Sequence, residues 1–172
     1  MKTWRSAAAA LLAGGTLAAT AAPATAERLR LNDEAGDTMA NGLDITRAAF
    51  ANRDRAVVVD LKFVSDKPSL VAVLIRARDG SRVWIVSRHA RRGPDDTLLA
   101  QPRRGEVPCA GLTSDWDRRA AEVRLRMPSR CLDDGNYGAT RHWAFIERGD
   151  DVDYAPDTPS GNIGVTDWIS RG

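Results

Sequence analysis

The chain has 172 residues, with 25 Lys and Arg against 23 Asp and Glu, so it lacks the basic excess that holds a protein on nucleic acid. Its two cysteines exclude a disulfide-dense scaffold, and with no histidine close to them in sequence a zinc site is the weaker reading of the pair. The acids are 18 aspartates and five glutamates, and aspartate favours turns over helix interiors, which already points to strands and loops.

Residues 1–26 place Lys2 and Arg5 ahead of an Ala- and Leu-rich run that ends Ala24, Thr25, Ala26. This pattern predicts a cleaved signal peptide, followed by a single domain over residues 27–172. The run is broken by Gly14, Gly15 and Pro23 and falls short of the roughly 20 apolar residues of a membrane span. No stable membrane insertion is therefore expected after cleavage, and the location expected is secreted, extracellular or associated with the cell wall. Without Lys2 and Arg5 the remaining charges balance, 23 against 23.

Next comes "LNDEAGDTMANGLDI", residues 31–45. Asp33, Asp37, Asn41 and Asp44 offer oxygens of the kind Ca2+ takes, six to eight at about 2.3 to 2.6 Å. Ala35 breaks the D-x-[DN]-x-[DN]-G spacing of a helix-loop-helix calcium loop. The competing expectation needs no cofactor: Asp37 and Asn41 make turns, and Asp44 fixes the start of a strand through backbone hydrogen bonds.

From residue 44 onward the pattern has period two. Ile45 shares no face with Ala48 and Phe50, which predicts a β-bulge near Arg47, and a tight turn follows at residues 52–54. In "RAVVVDLKFV", Val57, Val59, Leu61 and Phe63 fall on one face, Asp60 and Lys62 on the other. "SLVAVLIRAR" turns Val71, Val73 and Ile75 inward, and Asp79-Gly80 predicts a hairpin into "SRVWIVSRH". There the phase stays open, because Trp84 and Val86 compete with Val83 and Ile85. "RRAAEVRLRMP" turns Ala121, Val123, Leu125 and Met127 to one side, while in "YGATRHWAFIER" either Trp143 and Phe145 or Ala144 and Ile146 face in. Residues 90–105 and 149–164 read as long loops.

No stretch keeps a 3.6-residue stripe for three turns. About seven or eight short strands with turn residues between them match an all-β chain folded as an antiparallel β-sandwich, Ig-like or jelly-roll-like. In an exported chain the pair Cys109 and Cys131 is expected to form a disulfide. It would close a loop of about 20 residues, for which chain-entropy arguments give roughly 3 kcal/mol.

The "GPD" loop, a cysteine on each side of a strand ending "MPSRCL", and the final "DWISRG" resemble a group of small secreted actinobacterial proteins. Their β-sandwiches are similar to those of carbohydrate-binding and other extracellular binding modules. The resemblance implies fold and location; none of its motifs is a catalytic signature.

Candidate functional residues follow from charge and aromatic content. Arg88, His89, Arg91 and Arg92 in "SRHARRGPDD" form a positive patch suited to phosphate, sulfate or uronate groups, with Arg103 and Arg104 on the same loop. Asp95 and Asp96 follow at once and dilute it. Carbohydrate binding needs exposed aromatic platforms. Mid-strand Trp84 and Trp143 are expected in the core, Trp116 at the surface, and Trp168 either exposed or docking the C-terminal tail. Catalysis fits least: His89 and His142 are the only histidines, G-x-S-x-G and H-E-x-x-H are absent, and the carboxylates at Asp150, Asp151 and Asp153 read as a solvated cluster.

The expectation is thus a secreted, non-catalytic binding module whose partner is a polysaccharide or an anionic cell-envelope polymer, without nucleic acid. A carboxylate-based hydrolase and a purely structural envelope protein are the alternatives.

Overall fold

The computed structural model describes residues 27–33, 36, 44–157 and 164–172. The expected leader, residues 1–26, and Asp37 and Asn41 of the opening loop lie outside the described residues. Eleven strands and two 3-10 turns follow in order: β1 (Arg28–Asn32), β2 (Ile45–Arg53), β3 (Ala56–Phe63), β4 (Ser69–Ala77), β5 (Arg82–His89), β6 (Asp96–Gln101), β7 (Gly105–Val107), β8 (Thr113–Asp117), β9 (Glu122–Pro128), the turns Ser129–Cys131 and Asp133–Gly135, β10 (Thr140–Arg148) and β11 (Asp151–Ala155). They form two antiparallel sheets, a five-stranded one in the order β1-β2-β3-β9-β8 and a six-stranded one in the order β11-β10-β4-β5-β6-β7. The fold is a β-sandwich.

Alternation set the strands that were expected. Val57, Val59, Leu61 and Phe63 of β3 are buried, as are Val71, Val73 and Ile75 of β4 and Val123, Leu125 and Met127 of β9. The register of β2 on β3 shifts between Ile45 and Arg47, the bulge that brings Ile45 onto the same inner face as Ala48 and Phe50. The Asp79-Gly80 turn closes the β4–β5 hairpin, with Gly80 at φ +93°, a conformation that favours glycine.

The open phases are resolved by depth. In β5, Val83 and Ile85 are fully buried, and in β10 Ala144 and Ile146 are, so Trp84, Trp143 and Phe145 point outward. The two segments read as loops contain β6 and β11. Each is an edge or near-edge strand with weak alternation, held by pairing to β5 and β10 respectively.

One hydrophobic core fills the space between the sheets, with Phe50 and Leu125 from the first facing Ile75, Ile85 and Ile146 from the second. The disulfide Cys109–Cys131, with sulfurs 2.07 Å apart and Cα atoms 5.6 Å apart, ties the segment between β7 and β8 to the turn that follows β9. At the C-terminus Ile169 is buried and pairs with Thr140. Arg171 stacks over the Tyr137 ring at 4.7 Å and donates to the Tyr137 carbonyl at 3.2 Å. Among the described residues no helix is long and apolar enough to cross a membrane.

Candidate functional site

The opening loop comes first in the chain. Asp44 is buried, its carboxylate accepts from the Gly36 backbone N–H, and its carbonyl accepts from Val64 N at 2.9 Å. Asp33 N donates to the Thr46 carbonyl at 3.1 Å. Asp153 is buried rather than solvated: its carboxylate accepts from Ile45 N at 2.6 Å and Tyr154 N at 2.8 Å. Across the sheets, then, β11 holds the start of β2 through a side chain. Among the described residues no three His, Cys, Asp or Glu side chains are grouped to hold a metal ion.

The basic patch is divided by the pleat of β5. Successive side chains on a strand point to opposite faces, so Arg88 lies on the outer face and His89 on the inner one. His89 is almost fully enclosed. Its Nδ1 lies 2.9 Å from Asp95 Oδ1 and its Nε2 2.8 Å from Asp66 Oδ1. Both ring nitrogens are thus occupied by carboxylates. Trp116 is half-buried and turned toward the core: it stacks on His89 at 4.3 Å and on Phe63 at 5.8 Å, and donates from Nε1 to Ser87 Oγ at 3.1 Å. Asp95 also accepts from Ala90 N at 2.9 Å. Together these contacts make the end of β5 a rigid hydrogen-bonded corner.

Beside that corner, loops from both sheets enclose a pocket of about 340 Å³ lined by Asp66, Lys67, Pro68, His89, Arg91, Arg118 and Arg148. Arg91 is therefore brought to His89, whereas Arg88 and Arg92 do not line this pocket. Arg118 is engaged, donating to the Ala90 carbonyl at 3.0 Å.

His142 belongs to the core. It stacks on Phe50 at 5.1 Å, its Nε2 is 3.0 Å from Thr140 Oγ1, and burial lowers its pKa from 6.5 to about 3. Burial also raises the Tyr137 phenol above its usual value, an effect opposed by Arg171. Neither histidine has a free nitrogen open to solvent for proton transfer.

The two outer faces of the sandwich differ in kind. On the five-stranded sheet the outer face carries ion pairs: Asp60 binds Arg28 at 2.9 Å and Arg124 at 2.6 Å, and Glu122 binds Arg47 at 2.9 Å and Lys62 at 3.2 Å. On the six-stranded sheet its two middle rows are apolar and aromatic. The register sets Trp84 beside Leu74 and Leu74 beside Trp143 in one row. In the next row Val86, Ala72, Phe145 and Tyr154 follow each other across β5, β4, β10 and β11. The rings touch: Trp84 to Trp143 at 5.1 Å edge-on, Trp143 to Phe145 at 5.6 Å, and Trp143 to Tyr154 at 6.0 Å nearly parallel. All four aromatics are half-buried. The Trp143 Nε1 donor has no partner among the described residues.

No protein-family model, no curated protein and no solved structure matches the chain.

Trp84 and Trp143 were expected in the core, and the aromatic face was thereby missed. One signal for it was present. "SLVAVLI", "VWIV" and "WAFI" are apolar in both phases, and a strand apolar on both faces is one with both faces covered or bound.

Proposed function

We propose that this chain is an exported, non-catalytic binding module that carries a polysaccharide across the aromatic outer face of its six-stranded sheet. The observation that supports this reading is the row of Trp84 and Trp143 continued by Phe145 and Tyr154 on a face that an ordinary sandwich keeps polar. Sugar rings present C–H faces that stack on indole and phenol rings, each aromatic covering about 150 to 250 Å² when buried. A band of half-buried rings spread over several strands suits an extended chain better than a small ligand, which a concave pocket would enclose.

The absence of chemistry in this reading has its own support. His89 is occupied at both nitrogens and His142 is sealed in the core. Asp153, the last carboxylate of the acidic "DDVD" run, is spent on backbone N–H groups. Export is supported by the Ala-rich leader in the sequence and by the disulfide, which persists in oxidising compartments.

Retention of the purified protein on neutral and acidic polysaccharides, by affinity electrophoresis, tests the reading. Trp84→Ala and Trp143→Ala should each abolish retention while far-UV circular dichroism stays that of the native sandwich. Retention that survives both substitutions, or turnover of a polysaccharide removed by one carboxylate substitution, would overturn it.

A further inference from the structure

The aromatic rows do not fill the outer face of the six-stranded sheet. In the row next to Trp84, Leu74 and Trp143, the register sets Arg82 of β5 beside Arg76 of β4, and Arg76 beside Arg141 of β10. Three guanidinium groups thus stand on three adjacent strands, each strand about 4.8 Å from the next. Like charges directly opposite one another destabilise a sheet. The sheet supplies no remedy: among the described residues none of these arginines makes an ion pair, although seven ion-pair contacts form elsewhere.

At the β10 end of the row, Arg141 lies over the Trp168 ring at 4.9 Å and Arg78 lies over it at 5.3 Å. A guanidinium that stacks through its face leaves its N–H edge to bond elsewhere. Arg141 Nε is shielded from solvent and has no hydrogen-bond partner among the described residues, and the same holds for Trp143 Nε1 two residues along the strand. The face therefore pairs an apolar band with a line of unused cationic donors, whereas on the opposite outer face Arg28, Arg47 and Arg124 are paired with Asp60 and Glu122.

We propose that the ligand of the aromatic face is an acidic polysaccharide, whose carboxylate or sulfate groups are bound by Arg76, Arg82 and Arg141 while its rings stack on Trp84 and Trp143. This rests on the reading of that face as a polysaccharide site and adds the ligand's charge. Arginine suits the task because its planar fork meets the two oxygens of a carboxylate or sulfate with parallel hydrogen bonds. Binding an oxyanion also relieves the like-charge repulsion within the row. A polymer fits better than an anionic membrane, because the large apolar side chains of this face are half-buried. The large apolar side chains that do project, Val64 and Val165, are not on these strands.

Hydroxyethyl cellulose, carboxymethyl cellulose and cellulose sulfate share one backbone and differ in charge, so they separate the two ideas. Binding is read by affinity electrophoresis and by tryptophan fluorescence. The acidic polymers should bind more tightly than the neutral one, and the one that binds tightest identifies carboxylate or sulfate as the group recognised. Arg76→Gln combined with Arg82→Gln should weaken acidic binding about tenfold or more and leave neutral binding unchanged. Both residues are solvent-exposed and mutually repelled, so the variant keeps its fold.

Arg55→Gln combined with Arg119→Gln, an equal loss of charge at exposed sites away from the six-stranded sheet, should change nothing, while Trp84→Ala weakens all three polymers. Equal binding of charged and neutral polymers, or an effect of this control variant as large as that of the arginine-row variant, overturns the charge inference. The aromatic reading still stands in that case if Trp84→Ala weakens all three. If no polymer binds, and the face instead mediates self-association or binding to anionic vesicles, both ideas fall together.

Discussion

His142 ties stability to pH in a direction that can be worked out in advance. It is fully buried between the sheets, stacked on Phe50, with Nδ1 lacking a hydrogen-bond partner among the described residues. Desolvation lowers its pKa from 6.5 to about 3. Between those values the unfolded chain binds a proton at this residue and the folded chain does not. Stability is therefore complete above about pH 6.5 and falls as pH drops toward 3.

Each pH unit well inside that window costs about 1.4 kcal/mol, so lowering the pH from about 7 to about 5 should remove about 2 kcal/mol through His142 alone. For a domain of this size that corresponds to roughly 4 to 8 °C in Tm. The control is His142→Gln, which keeps a polar partner for Thr140 and cannot titrate in this range. Urea unfolding at both pH values isolates the residue, because every other group is common to the two proteins. The wild type should lose about 2 kcal/mol more than the variant. Equal losses would mean that His142 is protonated in the folded state or exposed to water, and the placement of this ring in a dry core would be wrong.

Two further perturbations address the supports around the faces. Asp153→Ala leaves the N–H groups of Ile45 and Tyr154 without their acceptor and should lower the unfolding free energy by about 1 to 3 kcal/mol. Asp153→Asn, which keeps one carbonyl oxygen, should recover part of that loss in the same urea titration, and equal effects of the two variants would refute the hydrogen-bond account. Replacing both Cys109 and Cys131 by serine should cost roughly 3 kcal/mol from chain entropy, seen as a lower thermal midpoint, and an unchanged midpoint would deny the bridge a stabilising role.

What the sequence determined by itself was whatever depends on local periodicity. Val57 to Phe63 in β3 and Val123 to Met127 in β9 alternate cleanly, and such strands allow one inward phase. The bulge near Arg47 and the Asp79-Gly80 turn were likewise legible, because a slip of phase and a positive φ are properties of a few neighbouring residues. β6 and β11 were hidden within expected loops, since their pairing energy comes from β5 and β10 and leaves little mark on their own residues.

Only the tertiary structure decided the faces. In β5 and β10 both phases are apolar, so alternation could not choose between Trp84 and Ile85, or between Trp143 and Ile146. The choice was made by the space between the sheets, where Ile85 and Ile146 fill the interior and the indoles are left outside. The same packing separated Arg88 from His89, turned Trp116 inward, and aligned Arg76, Arg82 and Arg141, residues up to 65 positions apart in the sequence. Adjacency of that kind arises from strand register, a property of the assembled sheet that no single segment carries.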